Sequence, residues 1–452
     1  MDRARLSLLI QDERQRYGMN HARSRELFER AEHLLTGVPM TWMSKWVGGF
    51  PLYLDTACGA ELVDVDGHRY ADFALGDTGA MAGHSAPALC RAIEQRVSGS
   101  GGLTTMLPSE DAEWVAGELS RRFGLPRWSF TLSATDANRW AIRLARLLTG
   151  RPKVLVFSYS YHGSVDESFV ILDESGTARS RPGNVGPAVD PTSTTRVAHF
   201  NDLASVEAAL AAGDVAVLVT EPALTNIGIV LPEPGFLAGL RKLTRAHGSL
   251  LLIDETHTFS AGPGGMTATE ALEPDLLVIG KSIGGGIPCG AYGITQSLAA
   301  RVAGLAESGQ ADIADVGGVG GTLAGNVLST AAMRATLSEV LTAEAFDTMI
   351  ALAGSYRAGV QAVIDQHRLP WSINQLGARA EFRFCAPAPR TGNESAAAAD
   401  AELDEFFHLY LCNRGVLLTP FHNMSLISPA TTADQVDLHV RLFAAAVAEL
   451  LG

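Results

Sequence analysis

Short apolar runs alternate with stretches of helical period through the middle of the chain. Between about Pro87 and Thr330, Lys153 to Phe157, Val215 to Thr220, Ser249 to Ile253, Asp275 to Ile279 and Ala291 to Ile294 predict strands. Asp136 to Leu148, Leu203 to Ala212 and Gly235 to His247 predict amphipathic helices. Strand-helix alternation of this kind predicts an α/β fold with a mainly parallel, doubly wound sheet. The N-terminal stretch reads as one charged amphipathic helix to about Leu35, followed by a Trp/Met-rich segment, Pro39 to Trp46. Leu62 to Tyr70 reads as a hairpin turning at Asp66-Gly67. Asp173 to Arg196, rich in Ser, Thr, Gly, Pro and Arg, predicts a long loop. From about Thr330 an alanine-rich helix leads into helices mixed with short strands around Ala380 to Cys385 and Val416 to Ser428, and Ala396 to Ala399 is a helix start or loop. No internal repeat is present.

Composition narrows the class. A chain of 452 residues, 47% hydrophobic and 19% charged, can bury a large core in two or three domains. A net charge of -14 without any lysine/arginine block argues against nucleic acid or an anionic membrane as the main partner. Cys58, Cys90, Cys289, Cys385 and Cys412 are scattered without CxxC spacing, so neither a disulfide framework nor a metal site is expected. With no apolar run long enough to span a membrane and no cleavable signal pattern, the expected location is the cytoplasm.

Two strand ends carry the chemistry. The run Leu276 to Gly280 is followed by Lys281 and then by Gly284-Gly285-Gly286, a poor place for a solvated surface charge. The run Leu250 to Ile253 ends in Asp254, 27 positions earlier. Alone, the lysine reads as a snorkelling strand-end residue and the aspartate as a turn former or helix cap. Together, on consecutive strands, they bring an amine and a carboxylate to one sheet edge, which is what a pyridoxal-phosphate enzyme needs: a nucleophilic lysine, and an acid to keep the pyridine nitrogen protonated. Ser133 to Asn138 opens a helix and can hold a phosphate on its free N–H groups, although a plain capping box explains it equally well in isolation. A second small-residue turn, Gly320 to Asn326, also opens a helix. Tyr161, just after the strand ending at Phe157, can stack on a flat ring or simply cover the core. No GxxxxGK[ST] loop occurs and no GxGxxG follows a strand, so a nucleotide-dependent oxidoreductase has little support.

From Leu34 to Leu450 the chain resembles the class III aminotransferases of pyridoxal-phosphate fold type I, most nearly the glutamate-1-semialdehyde aminomutase and β-amino-acid aminotransferase branch. The resemblance rests on Val65 to Phe73, Gly83 to Pro87, Ser133 to Ala137, Tyr161-His162-Gly163, Glu221-Pro222, Asp254-Glu255, Gly280-Lys281, Gly284 to Pro288 and Gly321 to Asn326. It implies a large domain (76–330) with a seven-stranded sheet, and a smaller α+β domain from the terminal segments (1–75 and 331–452). It further implies that Lys281 forms the cofactor Schiff base, Asp254 pairs with the pyridine nitrogen and Tyr161 stacks on the ring. The N–H groups of Ala134 and Thr135 would hold the phosphate, Glu221 and Asn226 would lie near the ring substituents, and Thr322 would come from the partner subunit of a homodimer with shared active sites.

The departures concern the substrate. The aminomutases carry a carboxylate-binding arginine where this chain has Thr41, and a glutamate where it has Met424; a nearby arginine of the β-amino-acid enzymes is also missing. An intramolecular amino shift is therefore disfavoured, since a bidentate arginine–carboxylate contact would be lost. Thr41, Trp42, His422 and Met424 are candidates for a substrate pocket, while Met40, Met43 and Trp46 suit a pocket wall or core packing equally. Arg139, Arg379, Arg383 and Arg414 are candidates for an acceptor carboxylate, with nothing in the sequence to choose among them. The leading expectation is a ping-pong aminotransferase moving nitrogen from an amine or amino acid to a keto or aldehyde acceptor. An aminomutase and a catalytically silent paralogue are the alternatives.

Overall fold

The computed structural model describes residues 2–452. The chain divides into two compact units: Pro87–Phe346 with Pro389–Ala397, and Met1–Ala86 with Asp347–Ala388 and Ala398–Gly452.

The first unit is built on a seven-stranded sheet. In chain order its strands are β1 (Arg127–Thr131), β2 (Lys153–Phe157), β3 (Thr195–Ala198), β4 (Val215–Thr220), β5 (Leu250–Asp254), β6 (Leu276–Gly280) and β7 (Gly290–Ile294). They lie side by side as β1-β7-β6-β5-β4-β2-β3. All are parallel except β7, which runs against both its neighbours. The central strands are apolar apart from residues at their ends, because both faces are covered; β4 and β6 are buried at every position. On one face Val154, Val156, Val219, Leu252 and Val278 pack with Ala137, Ala141 and Leu144 of the Ala134–Thr149 helix. The alternate positions serve the other face, where the Phe157 ring lies 5.7 Å from that of Phe236 on the Phe236–His247 helix.

Strands β1 and β3 were not expected from the sequence, and they are the two edges of the sheet. Asp173 to Arg196 is also more ordered than a loop. Val170–Leu172 and Ala178–Ser180 form an antiparallel hairpin, and β3 begins at Thr195.

In the second unit Leu54–Cys58, Glu61–Asp64 and Arg69–Asp72 form an antiparallel meander, to which Val416–Leu417 adds in parallel. The turn at Asp66-Gly67 is held by Asp64 Oδ1, which accepts from the N–H groups of Asp66 and His68. A second sheet joins Ser372–Leu376, Arg379–Arg383 and Met424–Leu426. The N-terminal helix does not run to Leu35. It spans Arg3–Asn20, breaks at His21 and resumes as Ala22–Glu29. The break follows from His21 leaving helical geometry (φ -118°, ψ 49°) so that its buried ring meets the Tyr17 carbonyl (2.8 Å) and the Tyr70 hydroxyl (2.8 Å). Trp46 is buried with Tyr17, Phe50 and Leu409, and Met43 packs on the same cluster, so these two are core residues; Met40 stays 48% exposed. No helix among the described residues is long and apolar enough to cross a membrane.

Candidate active site

Parallel strands deliver their following residues to one sheet edge, the usual ligand edge of an open α/β sheet. Here β2 leads to Tyr161 and His162, β4 to Glu221, β5 ends in Asp254 and β6 leads to Lys281. Asp254 stands opposite Val278 in the β5/β6 register, three residues short of Lys281.

Asp254 is buried and fully engaged. Its Oδ2 accepts from Asn138 Nδ2 (2.8 Å) and from His162 Nδ1 (3.0 Å), and its Oδ1 accepts from the Thr256 N–H (3.1 Å). Burial alone would raise its pKa; the His162 hydrogen bond and charge, with the donors Thr256 and Asn138, outweigh it and hold the carboxyl below its ordinary value. Lys281 is half-buried and has a left-handed backbone (φ 50°), a costly conformation for a non-glycine residue that persists where surrounding structure imposes it. Its Nζ lies 2.9 Å from His257 Nε2.

The Ala134–Thr149 helix starts against this pair. Ser133 caps it by accepting from the Asp136 N–H. A side chain on Gly280 would place Cβ 2.9 Å from the Ala134 nitrogen, and one on Gly163 (φ 78°) would collide with Thr135. These two glycines let the backbone beside Lys281 and behind His162 approach the first helical turn, whose N–H groups have no intrahelical acceptor. Glu221, immediately after β4, is buried with Oε2 accepting from Thr225 Oγ1 (2.5 Å). Burial pushes its carboxyl up to about 7; His162 opposes the shift and Asp254 adds to it.

Farther along the edge, Asn226 meets an arginine. With its amide turned so that oxygen faces the guanidinium, Oδ1 accepts from Arg181 Nη1 and Nη2, both at 3.1 Å. Arg181 also lies over the Tyr159 ring, 5.4 Å from its centroid. Tyr161 sets its ring edge-on to Phe169 at 6.1 Å.

The structure thus gathers Lys281, Asp254, Ala134, Thr135, Tyr161, Glu221 and Asn226 around one edge. Thr322 is exposed on the turn before the Val327–Ala335 helix, where a side chain on the neighbouring Gly321 would meet Trp140 of the Ala134–Thr149 helix. Thr41, Trp42, His422 and Met424 belong to the other unit. There Thr41 is exposed and Trp42 stands edge-on to Phe421 (5.2 Å). Met424 is buried with its sulfur accepting from Arg379 (3.3 Å). His422 sits 3.5 Å from Glu381; burial opposes its protonation, but the Glu381 hydrogen bond and charge prevail and raise its pKa. Of the four arginines singled out, Arg139 is exposed and Arg379 is fully buried on Thr78 and Met424. Arg414 forms a two-pronged pair with Glu13. The sequence reading missed His257 as the neighbour of Lys281, His162 and Asn138 as the holders of Asp254, and Arg181 altogether. His162 and Asn138 stood in segments already noted and His257 just beyond one; nothing marked Arg181 within its loop.

The site suits pyridoxal phosphate on its own terms. Buried side-chain atoms without a protein partner cluster here: Asn138 Oδ1, His162 Nε2, Glu221 Oε1, Thr256 Oγ1 and Ser282 Oγ. Buried polar groups in folded proteins are almost always paired, so such a concentration marks a place where a polar ligand completes the network. The donor set offers a buried carboxylate, an amine and a helix N-terminus, matching a pyridine nitrogen, an aldehyde and a phosphate.

Comparison with known proteins agrees. A glutamate-1-semialdehyde 2,1-aminomutase of Roseiflexus castenholzii is 36% identical over 411 residues, 89% of this chain and 91% of that protein. The crystal structure of a glutamate-1-semialdehyde aminomutase from Pseudomonas aeruginosa PAO1 matches with a TM-score of 0.96 at 49% identity, over 100% of this chain and 99% of that one. A lysine-to-alanine form of such an aminomutase from the same organism is in complex with PMP. A β-phenylalanine aminotransferase from Variovorax paradoxus matches with a TM-score of 0.87 at 27% identity, over 98% and 97% of the two chains. Residues 42–447 match the family model described as aminotransferase class-III. The chain belongs to the class III aminotransferase family, enzymes of fold type I whose cofactor is pyridoxal phosphate.

Proposed function

We propose that this enzyme transfers an amino group between two small molecules, a donor amine or amino acid and a keto or aldehyde acceptor, in two half-reactions. The observation that carries the reading is the buried Asp254, kept ionised by His162 and Asn138, on the strand next to the one that presents Lys281. Pyridoxal phosphate, when bound, withdraws electrons from the carbon that bears the amino group. Asp254 supplies the fixed negative charge opposite the pyridine nitrogen. Lys281 would hold the cofactor through its amine and would move a proton at that carbon, as base and then as acid. The Ala134 and Thr135 N–H groups hold the phosphate, Tyr161 covers the ring, and Glu221 and Asn226 line its substituents. Thr322 serves the partner's site in a homodimer, consistent with its exposure.

The relatives favour a second reading. Proteins named glutamate-1-semialdehyde aminomutase match at 36% and 49% identity, and an aminomutase moves nitrogen within one molecule. Against it, Thr41 and Met424 stand where the aminomutase pattern has an arginine and a glutamate, and Met424 is enclosed among strand partners. The two are separated by assaying the holoenzyme with single amino compounds, with and without an added keto acid. Amino transfer requires the acceptor for turnover; sustained turnover of glutamate-1-semialdehyde alone overturns the proposal. Lys281→Ala should abolish both turnover and the lysine-linked visible absorbance.

A further inference from the structure

Arg181 is a cation withdrawn from water without an anion to meet it. The other half-buried arginines of its unit are paired with an acid, as Arg146 with Glu167 (2.7 Å) and Arg196 with Asp214 (2.6 Å), or take several carbonyls, as Arg151 does from Val215 and His247. Arg181 has only the neutral Asn226 oxygen and the Tyr159 ring. Burial lowers its pKa, and no neighbouring acid among the described residues offsets the shift.

The guanidinium is held in place rather than trailing in solvent. The Arg181 N–H donates to the Phe169 carbonyl at 2.8 Å, and Phe169 in turn touches Tyr161. Tyr159, beneath the guanidinium, has a left-handed backbone (φ 65°), a strained state for an aromatic residue. Asn226 receives both terminal nitrogens on one atom, and among the described residues no protein group bonds the Nε edge. That edge is the fork that grips a carboxylate through two parallel hydrogen bonds.

We infer that Arg181, oriented by Tyr159 and Asn226, binds the carboxylate of the substrate, so that the enzyme takes amino acids and keto acids rather than simple amines. This rests on the amino-transfer reading, because it places Asn226 beside the cofactor. It moves the specificity element off the N-terminal segment, where Thr41 stands, and onto the hairpin-bearing segment after β2.

The test uses the holoenzyme and two unreactive probes that lack an amine, 3-phenylpropanoate and its neutral carboxamide, with binding read by titration calorimetry. Wild type should bind the carboxylate tightly enough to measure and prefer it to the amide. Arg181→Gln should weaken carboxylate binding at least tenfold and leave the amide unchanged, and Arg181→Lys should recover part of the loss. The visible cofactor absorbance should be equal in all three proteins, which separates lost binding from lost folding. Equal carboxylate affinity in wild type and Arg181→Gln, or no carboxylate binding by wild type, overturns the inference. A wild type without visible cofactor absorbance sinks instead the reading on which it rests.

Discussion

Replacing Glu221 by Gln isolates a proton that the fold binds more tightly than the unfolded chain does. Glu221 has one oxygen on Thr225 and the other without a protein partner, and burial lifts its carboxyl from 4.5 to about 7. The folded state therefore binds the proton more tightly than the unfolded chain does. Stability from this group is fully present below pH 4.5 and is lost as pH rises through about 7. One pKa unit is about 1.4 kcal/mol, so the shift corresponds to roughly 3 kcal/mol lost between pH 4.5 and 8. Glutamine keeps the shape and an acceptor for Thr225 but does not titrate. The wild-type-minus-variant stability should therefore fall by roughly 3 kcal/mol across that range. Urea titration of cofactor-free protein at several pH values, read by hydrogen exchange in the Val215–Thr220 strand, reports on the unit concerned. A flat difference, or one that rises with pH, would mean that Glu221 is ionised throughout and that the burial argument fails.

Two further outcomes follow from packing. Gly163→Ala adds a Cβ that collides with Thr135 at a positive φ, so it should destabilise the first unit by about 2 kcal/mol. It should also weaken cofactor retention, measured by visible absorbance after dialysis, because Thr135 belongs to the helix start proposed to hold the phosphate. Arg414→Ala removes the two-pronged partner of the buried Glu13, which keeps only Asn413 (2.7 Å) and the more distant Arg16 (3.9 Å), and should cost about 2 kcal/mol in urea unfolding of the second unit. Its KM for either substrate should not change, since Arg414 is committed to Glu13; a raised KM would return it to the list of substrate anchors.

What the sequence disclosed follows from burial. The central strands announced themselves because strands covered on both faces must be apolar at every position. The edge strands Arg127–Thr131 and Thr195–Ala198 mix polar and apolar residues because each has only one neighbour, and no run marks them. Asp254 and Lys281 were legible because each terminates such a run. Their partners were not, because partnership depends on strand order. His162 follows β2, two places from β5 in the sheet, yet its Nδ1 reaches Asp254. The same holds for Arg181, whose meaning comes from Asn226, forty-five positions away in the chain but adjacent in space. The N-terminal helix was overextended because its break is a tertiary event, the burial of His21 against Tyr70.

The two buried acids of the site sharpen its chemistry further. Asp254 and Glu221 follow adjacent parallel strands and feel each other's charge, yet their environments push them apart. Three donors hold Asp254 as an anion; Glu221 has a single hydroxyl donor and an unmatched oxygen. Two carboxylates this close are stabilised when one keeps its charge and the other its proton. The charge then belongs on Asp254, on the strand beside the one that leads to Lys281, which suits the counterion role proposed for it. The proton is held more tightly on Glu221, whose neutral form could donate a hydrogen bond to the cofactor in the role proposed for it. Exchanging those assignments would leave Asp254 protonated among three donors and Glu221 ionised with one, which is why the order of the strands, and not the number of acids, decides which group does which work.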